Sequence, residues 1–261
     1  MPKPKCNIRI GTSGWHYDHW QGRFYPADLP KNKWLDFYAQ HFDTVEINNT
    51  FYHLPKAQTF QNWHKQVPQS FLFAVKANRY ITHIKKLKDP QDSLNLFFER
   101  ASLLKDNLGP VLYQLPPNFH KDLDRLRTFL LALPERRIAV FEFRHASWFS
   151  DDTYTLLKDF NAAFCIHDLP CAQPRPEHGQ RGGAGLPACL PPKVITSDTI
   201  YLRFHGTTGR YAGNYTERHL RSCADWLKEH LKGITALYAY FNNDANAYAV
   251  TNAIELKKIL T

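Results

Sequence analysis

The sequence predicts a single α/β domain folded as a (β/α)8 TIM-type barrel that spans residues 1–261. Eight short segments rich in β-branched and aromatic residues alternate with segments of helical spacing, which is typical of a parallel sheet covered by helices. The length of 261 residues matches the ~250 that such a barrel needs and leaves little chain for a second domain.

The predicted strands are nearly continuous apolar runs, as expected for parallel strands that are buried on both faces. They are Asn7–Ser13, Thr44–Asn48, Leu72–Asn78, Val111–Pro116, Ile138–His145, Ala163–Asp168, Ile200–Gly206 and Ala236–Asn243. Helical spacing lies between most of them, over Lys33–Phe42, Ala57–Gln66, Pro90–Asn107, Asp122–Leu133, Asp151–Phe160, Thr216–Lys232 and Asp244–Leu260. Asp122 and Thr216 are side chains that can cap the helices that follow them.

One segment interrupts the alternation after the sixth strand. Cys171–Ser197 is rich in Pro, Gly and polar residues and has no helical periodicity. Long connections without secondary structure are usually functional lids or disordered insertions. We expect an irregular loop over residues 171–197 on the rim of the barrel.

Several cofactor and enzyme classes are disfavoured by missing motifs. Gly11 and Gly14 begin a turn that has Trp15 and not the third glycine of a dinucleotide fingerprint, and neither a P-loop nor a G-x-S-x-G elbow occurs. Histidine pairs with metal-ligand spacing are also missing, so no metal ligand is assigned and the cofactor is left unknown. A divalent metal held by Glu142, Asp168 and His205 would have to be assembled in three dimensions, and this alternative stays open.

The composition indicates a cytoplasmic protein. No segment approaches the ~18 unbroken apolar residues of a membrane span, and no apolar signal core follows the basic start of the chain. The 5 cysteines are odd in number and scattered, which argues against a disulfide framework. We therefore expect no membrane partner. The oligomeric state is not indicated.

Polar side chains collect where the predicted strands end, which is where barrel enzymes place their chemistry. Four of them are candidate catalytic residues: Glu46, Glu142, Asp168 and His205. The candidate substrate-binding residues are Trp15, Asn48, Lys76, Gln114, Arg144, His145, Arg203, Gly206, Arg210, Asn242 and Asn243.

Alternation within three strands predicts that charged side chains face the inside of the barrel. Glu142 and Arg144 share one strand face while Phe141 and Phe143 share the other, and Glu46 and Arg203 fall on equivalent faces of their strands. A charge inside a barrel is costly unless it is paired or used. A structural ion-pair network that only fills the lumen is the alternative to a functional cluster.

The loop after the seventh strand suggests an anion site. Its glycines, from Gly206 to Gly213, allow backbone N–H groups to converge, and Arg210 can add a bidentate donor. Loops after strands seven and eight often bind phosphate in barrels of this type. The alternative is an ordinary glycine-rich turn that leads into the next helix.

The excess of basic residues leaves a second class of partner open. Lys+Arg 33 against Asp+Glu 24 gives a formal charge of +9, and aromatic residues crowd the first three predicted loops. Together they are compatible with binding of a single-stranded nucleic acid. The basic residues are nevertheless spread along the whole chain, and those near one rim favour an anionic ligand over DNA.

Ordered motifs along the chain resemble the YecE-like family, the domain of unknown function 72. The motifs are Gly11-Thr12-Ser13-Gly14-Trp15, the run from Phe42 to Tyr52, Phe73-Ala74-Val75-Lys76, Gln114-Leu115-Pro116-Pro117, Glu142-Phe143-Arg144-His145, the run from Leu202 to Gly206, and Tyr240-Phe241-Asn242-Asn243-Asp244. The resemblance implies a TIM-type barrel and assigns no reaction. His167 and the length of Cys171–Ser197 depart from the family pattern.

The residues favour an enzyme, of the hydrolase, lyase or isomerase class, that acts on a phosphate-bearing anion. Lys76, Arg144 and Arg203 would hold the anion, and a carboxylate would serve as general base. His205 is the best proton carrier because the ordinary pKa of histidine lies near neutrality. A protein or nuclease that binds oligonucleotides through a basic, aromatic-lined rim is the alternative.

Overall fold

The computed structural model describes residues 6–135, 137–169, 171, 191–208 and 211–261. Eight parallel strands form a nearly closed barrel with helices between them, which confirms the predicted fold class. The strands are β1 Asn7–Thr12, β2 Thr44–Ile47, β3 Leu72–Lys76, β4 Leu108–Gln114, β5 Ala139–Glu142, β6 Ala163–His167, β7 Thr199–Phe204 and β8 Ala236–Phe241. Neighbouring strands pair in the order β1-β8-β7-β6-β5-β4-β3-β2.

The helices pack on the outside of this sheet. They are α1 Trp34–His41, α2 Asn49–Tyr52, α3 Ala57–Gln66, α4 Pro90–Ala101, α5 Leu123–Leu131, α6 Asp151–Asp159, α7 Glu217–His230 and α8 Tyr248–Leu260. Both predicted caps are present, because the side chain of Asp122 accepts the N–H of Arg125 at 3.0 Å and that of Thr216 accepts the N–H of His219 at 3.3 Å.

Three local features differ from the sequence prediction. The helix predicted over Pro90–Asn107 ends at Ala101 and continues as a 3-10 helix, in which Lys105 has a positive φ of 51°. The last helix begins at Tyr248 and not at Asp244, because Asn246 and Ala247 also have positive φ, at 54° and 60°. Neither α2 nor the turn of π-helix after β3 was predicted, since segments this short carry no periodicity.

The barrel has an apolar core outside the sheet and a second one in its lumen. The outer core lies between strands and helices and contains the predicted outward partners Phe141 and Phe143. The lumen core is a separate cluster formed by Ala74, Leu112, Val140, Ala163, Cys165, Tyr201, Ala236, Tyr238 and Tyr240. Two residues further along several of these strands come charged side chains, for example Lys76, Glu142 and Arg203. The alternation therefore places a polar layer above the apolar one, at the carboxyl ends of the strands.

The barrel closes between β1 and β2 through side chains more than through a strand ladder. The backbone contributes one bridge, between Ser13 and Glu46, and the N–H of Gly14 donates to the carbonyl of Glu46 at 2.8 Å. The Tyr38 hydroxyl accepts the N–H of Thr12 at 3.0 Å and donates to the carbonyl of Thr44 at 3.2 Å. A single buried phenol thus joins the two strands.

A glycine on β1 allows this close approach. A Cβ at position 11 would lie 2.3 Å from the carbonyl oxygen of Thr44 on β2. A carbon that close to an oxygen is a steric clash, so any other residue at Gly11 would push the two strands apart at the seam. The sequence motif that begins with Gly11 therefore has a packing role.

The predicted rim loop lies mostly outside the described residues. Residues 191–197 contain neither helix nor strand, and Cys171 forms an isolated bridge. The described cysteines Cys6, Cys165 and Cys223 are free thiols. In the part of the chain that the structure describes, no helix is long and apolar enough to span a bilayer.

Substituting Tyr38→Phe is expected to destabilise the fold by about 1–3 kcal/mol, since the buried N–H of Thr12 and carbonyl of Thr44 would lose their shared partner. Urea unfolding monitored by circular dichroism measures the change. Tyr113→Phe is the matched control, because Tyr113 is also buried and no hydrogen bond to its hydroxyl is formed by the described residues. Equal effects of the two substitutions would contradict the role assigned to Tyr38 in closing the barrel.

Candidate functional site

A buried arginine connects carboxylates from opposite sides of the lumen. Nη2 of Arg203 on β7 lies 2.7 Å from Oε1 of Glu46 on β2, and its Nη1 lies 2.6 Å from Oε2 of Glu142 on β5. The arginine side chain is 2% exposed and both carboxylates are fully buried. Three strands that are not adjacent are therefore held together by charge.

The remaining oxygens of the two carboxylates also have donors. The Tyr201 hydroxyl donates to Oε2 of Glu46 at 2.6 Å, and the Ser13 hydroxyl donates to Oε1. Arg144 donates from both Nε and Nη2 to Oε1 of Glu142. Burial alone would raise the pKa of Glu142, but Arg144 and Arg203 outweigh it and hold that pKa well below the usual range.

Each predicted catalytic glutamate is thus an acceptor whose two oxygens are occupied. A proton from a substrate could reach Glu46 or Glu142 only if an ion pair or a tyrosine hydrogen bond first opened. The structure brings both residues into the predicted cluster and gives them the geometry of a structural network.

Asp168 and His205 form a separate hydrogen-bonded group at the ends of β6 and β7. Oδ1 of Asp168 accepts the backbone N–H of His205 at 2.8 Å and faces its Nδ1 at 3.3 Å, while the Tyr215 hydroxyl donates to Oδ2. Burial would raise the pKa of Asp168, yet these hydrogen bonds lower it. Asp168 therefore remains an ionised acceptor.

The two ring nitrogens of His205 have different partners. Nε2 lies 3.3 Å from Nη2 of Arg144, and a guanidinium can only donate. Nε2 is therefore an unprotonated acceptor and the ring proton resides on Nδ1, directed at Asp168. Burial lowers the pKa of His205 and keeps the ring neutral near pH 7.

His167 is a buried lumen residue with one unused nitrogen. Its Nε2 lies 3.1 Å from the carbonyl of Phe143, which fixes the ring proton there. Nδ1 is buried with no hydrogen-bond partner among the described residues. Burial lowers the pKa of His167 to about 4, so its ring is neutral and Nδ1 is a free acceptor.

Lys76 at the end of β3 is a cation of the layer without a carboxylate partner. No carboxylate oxygen of the described chain lies within 4.0 Å of its Nζ, which sits 4.3 Å from the centre of the Phe51 ring. Burial, and then the charge of Arg203, lower the pKa of Lys76 to about 7. The residue as a whole is partly exposed at the end of β3.

Two further predicted residues line the same end, and one does not. Gln114 is half-buried at the end of β4, and Nδ2 of Asn48 donates to the Ser13 hydroxyl at 2.7 Å. Oδ1 of Asn48 is buried without a partner in the described part of the chain. Trp15 packs edge-on against Trp63 at 5.5 Å and belongs to the outer core, outside the polar layer, and it lines a cavity together with Asn48.

The loop after β7 is folded onto itself. Gly206 has a φ of 117°, a Cβ there would lie 2.0 Å from the Ala212 carbonyl, and its N–H donates to the Tyr215 hydroxyl at 2.7 Å. That N–H is therefore already occupied. Arg210, the predicted bidentate donor, lies outside the described residues.

The last three predicted binding residues are buried around this loop and at the neighbouring rim. Asn243 donates from Nδ2 to the Gly213 carbonyl at 2.9 Å and so positions the loop, and Asn242 is buried at the end of β8. His145 stacks on His120 with ring centres 4.0 Å apart. In this structure these contacts are structural.

Residues absent from the predicted set complete the cluster, and some had a sequence signal. Tyr201 lies two positions before Arg203, so the alternation that selected the arginine also selects this tyrosine. Tyr215 reaches Asp168 across 47 positions of sequence, and no local pattern indicates that contact. In the described ranges, no group of three or more His, Cys, Asp and Glu side chains is placed to hold a metal ion, so Glu142, Asp168 and His205 do not assemble one.

Arg203→Met is expected to cost about 3–5 kcal/mol of unfolding free energy, because Glu46 and Glu142 would remain buried with their partner removed. Chemical denaturation provides the measurement. Arg221→Met, which breaks an exposed pair with Glu217, is the control and should change stability by less than about 1 kcal/mol.

A second variant keeps this experiment informative if the single variant folds poorly. Combining Arg203→Met with Glu46→Gln should recover part of the loss, since Glu142 still has Arg144. A double variant no more stable than the single one would contradict the charge explanation.

Lys76→Met is expected to stabilise the protein, and the gain should depend on pH. The native pKa of Lys76 is about 7 and lies below that of an unfolded lysine, so the unfolded chain binds more protons between these values. The loss of folding stability caused by the buried ammonium group of Lys76 is complete below about pH 7 and decreases as the pH rises towards about 10.4. Urea unfolding near pH 6 and near pH 9.5 should show the larger gain at the lower value, whereas Lys65→Met, at an exposed site, should show none. Equal gains at both values would rule out a lowered pKa.

Known proteins provide independent comparisons for this barrel. A family model described as "Protein of unknown function DUF72" matches residues 9–261. UPF0759 protein YunF of Bacillus subtilis is 28% identical over 279 aligned residues, which cover 97% of this chain and 94% of YunF. UPF0759 protein YecE of Escherichia coli K12 is 32% identical over 144 residues, which cover 55% of this chain and 50% of YecE.

Solved structures agree with this match. The crystal structure of a DUF72 family protein from Thermotoga maritima has a TM-score of 0.81 at 28% identity and covers 97% of this chain and 99% of its own. A DUF72 family protein from Enterococcus faecalis has a TM-score of 0.74 at 18% identity, with 98% of each chain covered, and shows the fold alone. The family resemblance of the sequence motifs is thereby confirmed, and this chain belongs to the DUF72 family of proteins of unknown function.

Proposed function

We propose that the protein is an enzyme that binds an anionic substrate at the carboxyl-end mouth of its barrel and acts on it by acid/base chemistry. One observation carries the proposal: Lys76, a cation of the polar layer, has no carboxylate oxygen within 4.0 Å among the described residues. The cations Lys76, Arg144 and Arg203 face the carboxylates Glu46 and Glu142, whose oxygens Arg203, Arg144, Tyr201 and Ser13 already occupy. A bound anion would supply the negatively charged partner that Lys76 lacks.

Arg144 and Lys76 are the groups best placed to contact this anion. The Arg144 side chain is 11% exposed, whereas that of Arg203 is 2% exposed and lies between two glutamates. Arg203 therefore organises the layer from below. Arg144 offers a planar donor to a phosphate or carboxylate, and Lys76 offers a point charge when protonated.

His205 is the proton carrier that the geometry favours. Asp168 orients the ring through Nδ1 and leaves Nε2 as the basic atom, an arrangement in which a histidine accepts a proton and the carboxylate stabilises the resulting imidazolium. In this structure Nε2 accepts a hydrogen bond from Arg144. An anionic substrate that pairs with Arg144 would replace that contact and leave Nε2 for a proton of the substrate.

Binding of sulfate tests the anion site, because sulfate keeps one charge state across the neutral range. Calorimetric titration of the full chain near pH 6 should show binding that Arg144→Met weakens by about tenfold or more, or ~1.4 kcal/mol. Arg221→Met removes an equal charge from the exposed surface of α7 and should leave the affinity unchanged. The affinity of the wild type should also fall between about pH 6 and pH 9 as Lys76 loses its proton.

Two results would overturn the proposal. One is the absence of sulfate binding, and the other is an affinity that Arg144→Met and Arg221→Met reduce equally. Titration of a single-stranded oligonucleotide at two salt concentrations tests the nucleic-acid alternative. Tight binding with a steep salt slope that is insensitive to Arg144→Met would favour the nucleic-acid alternative.

A further inference from the structure

We propose that Lys76 is a nucleophile that forms an imine with an aldehyde or ketone that also carries a carboxylate or phosphate. This inference rests on the anion site proposed above and names the substrate class of that site. Proton transfer by His205 does not require an amine, so a nucleophilic Lys76 is a further function of the same site.

The carboxylates of the polar layer are paired with residues other than Lys76. Each oxygen of Glu142 pairs with an arginine, and the oxygens of Glu46 pair with Arg203, Ser13 and Tyr201. A lysine that serves only the fold would be expected to take one of these partners. Lys76 instead lies beside two guanidinium groups, and its Nζ contacts the face of the Phe51 ring at 4.3 Å.

These surroundings favour the neutral amine. Desolvation and nearby positive charge both disfavour the ammonium form, and lysines activated in this way form Schiff bases. At a pKa of about 7, roughly half of the Lys76 side chains are neutral at pH 7. An ordinary lysine with a pKa of about 10.4 is neutral in only about one molecule in 2500 at that pH.

The position of Lys76 suits attack on a bound carbonyl. The residue ends β3, and its backbone carbonyl accepts the Thr50 hydroxyl at 2.7 Å, which fixes the base of the side chain. The residue as a whole is partly exposed at the mouth of the barrel, where Arg144 is also reachable. A substrate whose anionic group pairs with Arg144 would need to extend towards the end of β3 to present its carbonyl to Lys76.

The reaction balances with the groups present. The lone pair of Nζ forms a bond to the carbonyl carbon, the π bond of the C=O group breaks, and the proton that the nitrogen then loses passes to the oxygen, which gives a carbinolamine. The hydroxyl group accepts a second proton from solvent and leaves as water, while the nitrogen lone pair forms the C=N bond of the protonated imine. Loss of the remaining nitrogen proton to solvent gives the neutral imine. The net change is amine plus carbonyl to imine plus water, and no oxidant or reductant is needed. The protonated imine can then take up electron density from a neighbouring carbon when a base such as His205 removes its proton.

Reductive trapping tests the proposal with a matched pair of probes. Glyoxylate and acetaldehyde are both small aldehydes, but only glyoxylate carries a carboxylate. The full chain is treated with each probe and cyanoborohydride near pH 7, and the modified lysines are quantified by peptide mass spectrometry. Lys76 should react with glyoxylate about tenfold or more faster than the exposed Lys65. A lower pKa makes an amine less nucleophilic, but it increases the fraction of neutral amine by a larger factor.

The controls separate the amine from the anion site. Sulfate should slow the reaction of glyoxylate at Lys76 and leave that at Lys65 unchanged. Lys76→Arg should abolish the fast phase, because a guanidinium supplies no amine nucleophile. The Lys76 rate should also level off above about pH 7, whereas rates at ordinary lysines climb towards about pH 10.

Each outcome bears on one of the two proposals. If Lys76 reacts no faster than Lys65 while sulfate still binds, the imine is overturned and the anion site stands. If Lys76 reacts rapidly with both aldehydes, without preference for glyoxylate or inhibition by sulfate, the nucleophile stands and the anionic substrate class is overturned.

Discussion

The ion pairs of Arg203 with Glu46 and Glu142 are the interaction on which the barrel mouth depends. They join β7 to β2 and β5 across the lumen, and Glu46 is also the residue that bridges to Ser13 at the weak seam between β1 and β2. Closure of the barrel and organisation of the polar layer thus share one carboxylate. Because a buried charge whose partner is lost costs several kcal/mol, this contact tolerates little change.

The same contact determines the chemistry of its neighbours. By occupying the glutamates it leaves Lys76 with two arginines and an aromatic ring, and it keeps Glu142 ionised and unreactive. An apolar filling of the upper lumen, like the layer below it, would avoid the desolvation of three charges. The proposed anion site explains why charged residues are kept at the carboxyl ends of the strands, where barrel enzymes have their active sites.

The sequence was sufficient for the fold and for the charged residues of the cluster, but not for its tyrosines or for the role of each residue. Strand and helix periodicity predicted the eight-fold alternation, and alternation within strands correctly placed Glu142 and Arg203 in the lumen. The tyrosine that closes the barrel was not predictable, because Tyr38 reads as an ordinary core position of α1. The pairing of each arginine with a particular carboxylate depends on distances across the lumen, and no local sequence pattern encodes these distances. Trp15 packs against Trp63 in the outer core, and the sequence alone does not distinguish an aromatic residue that stabilises the core from one that contacts a ligand.

The proposed anion site and the proposed nucleophile restrict each other. An anion in contact with Nζ stabilises the ammonium form, so sulfate can engage Lys76 and Arg144 together, whereas a substrate that forms the imine must hold its charge at Arg144 alone. The geometry divides them: Arg144 lies on the side of β5 with His205, whereas Lys76 lies at the end of β3 against Phe51. A substrate that satisfies both would carry its charge towards β5 and its carbonyl towards β3. Its binding would also detach Arg144 from Nε2 of His205, so that the base becomes available only when the substrate is in place.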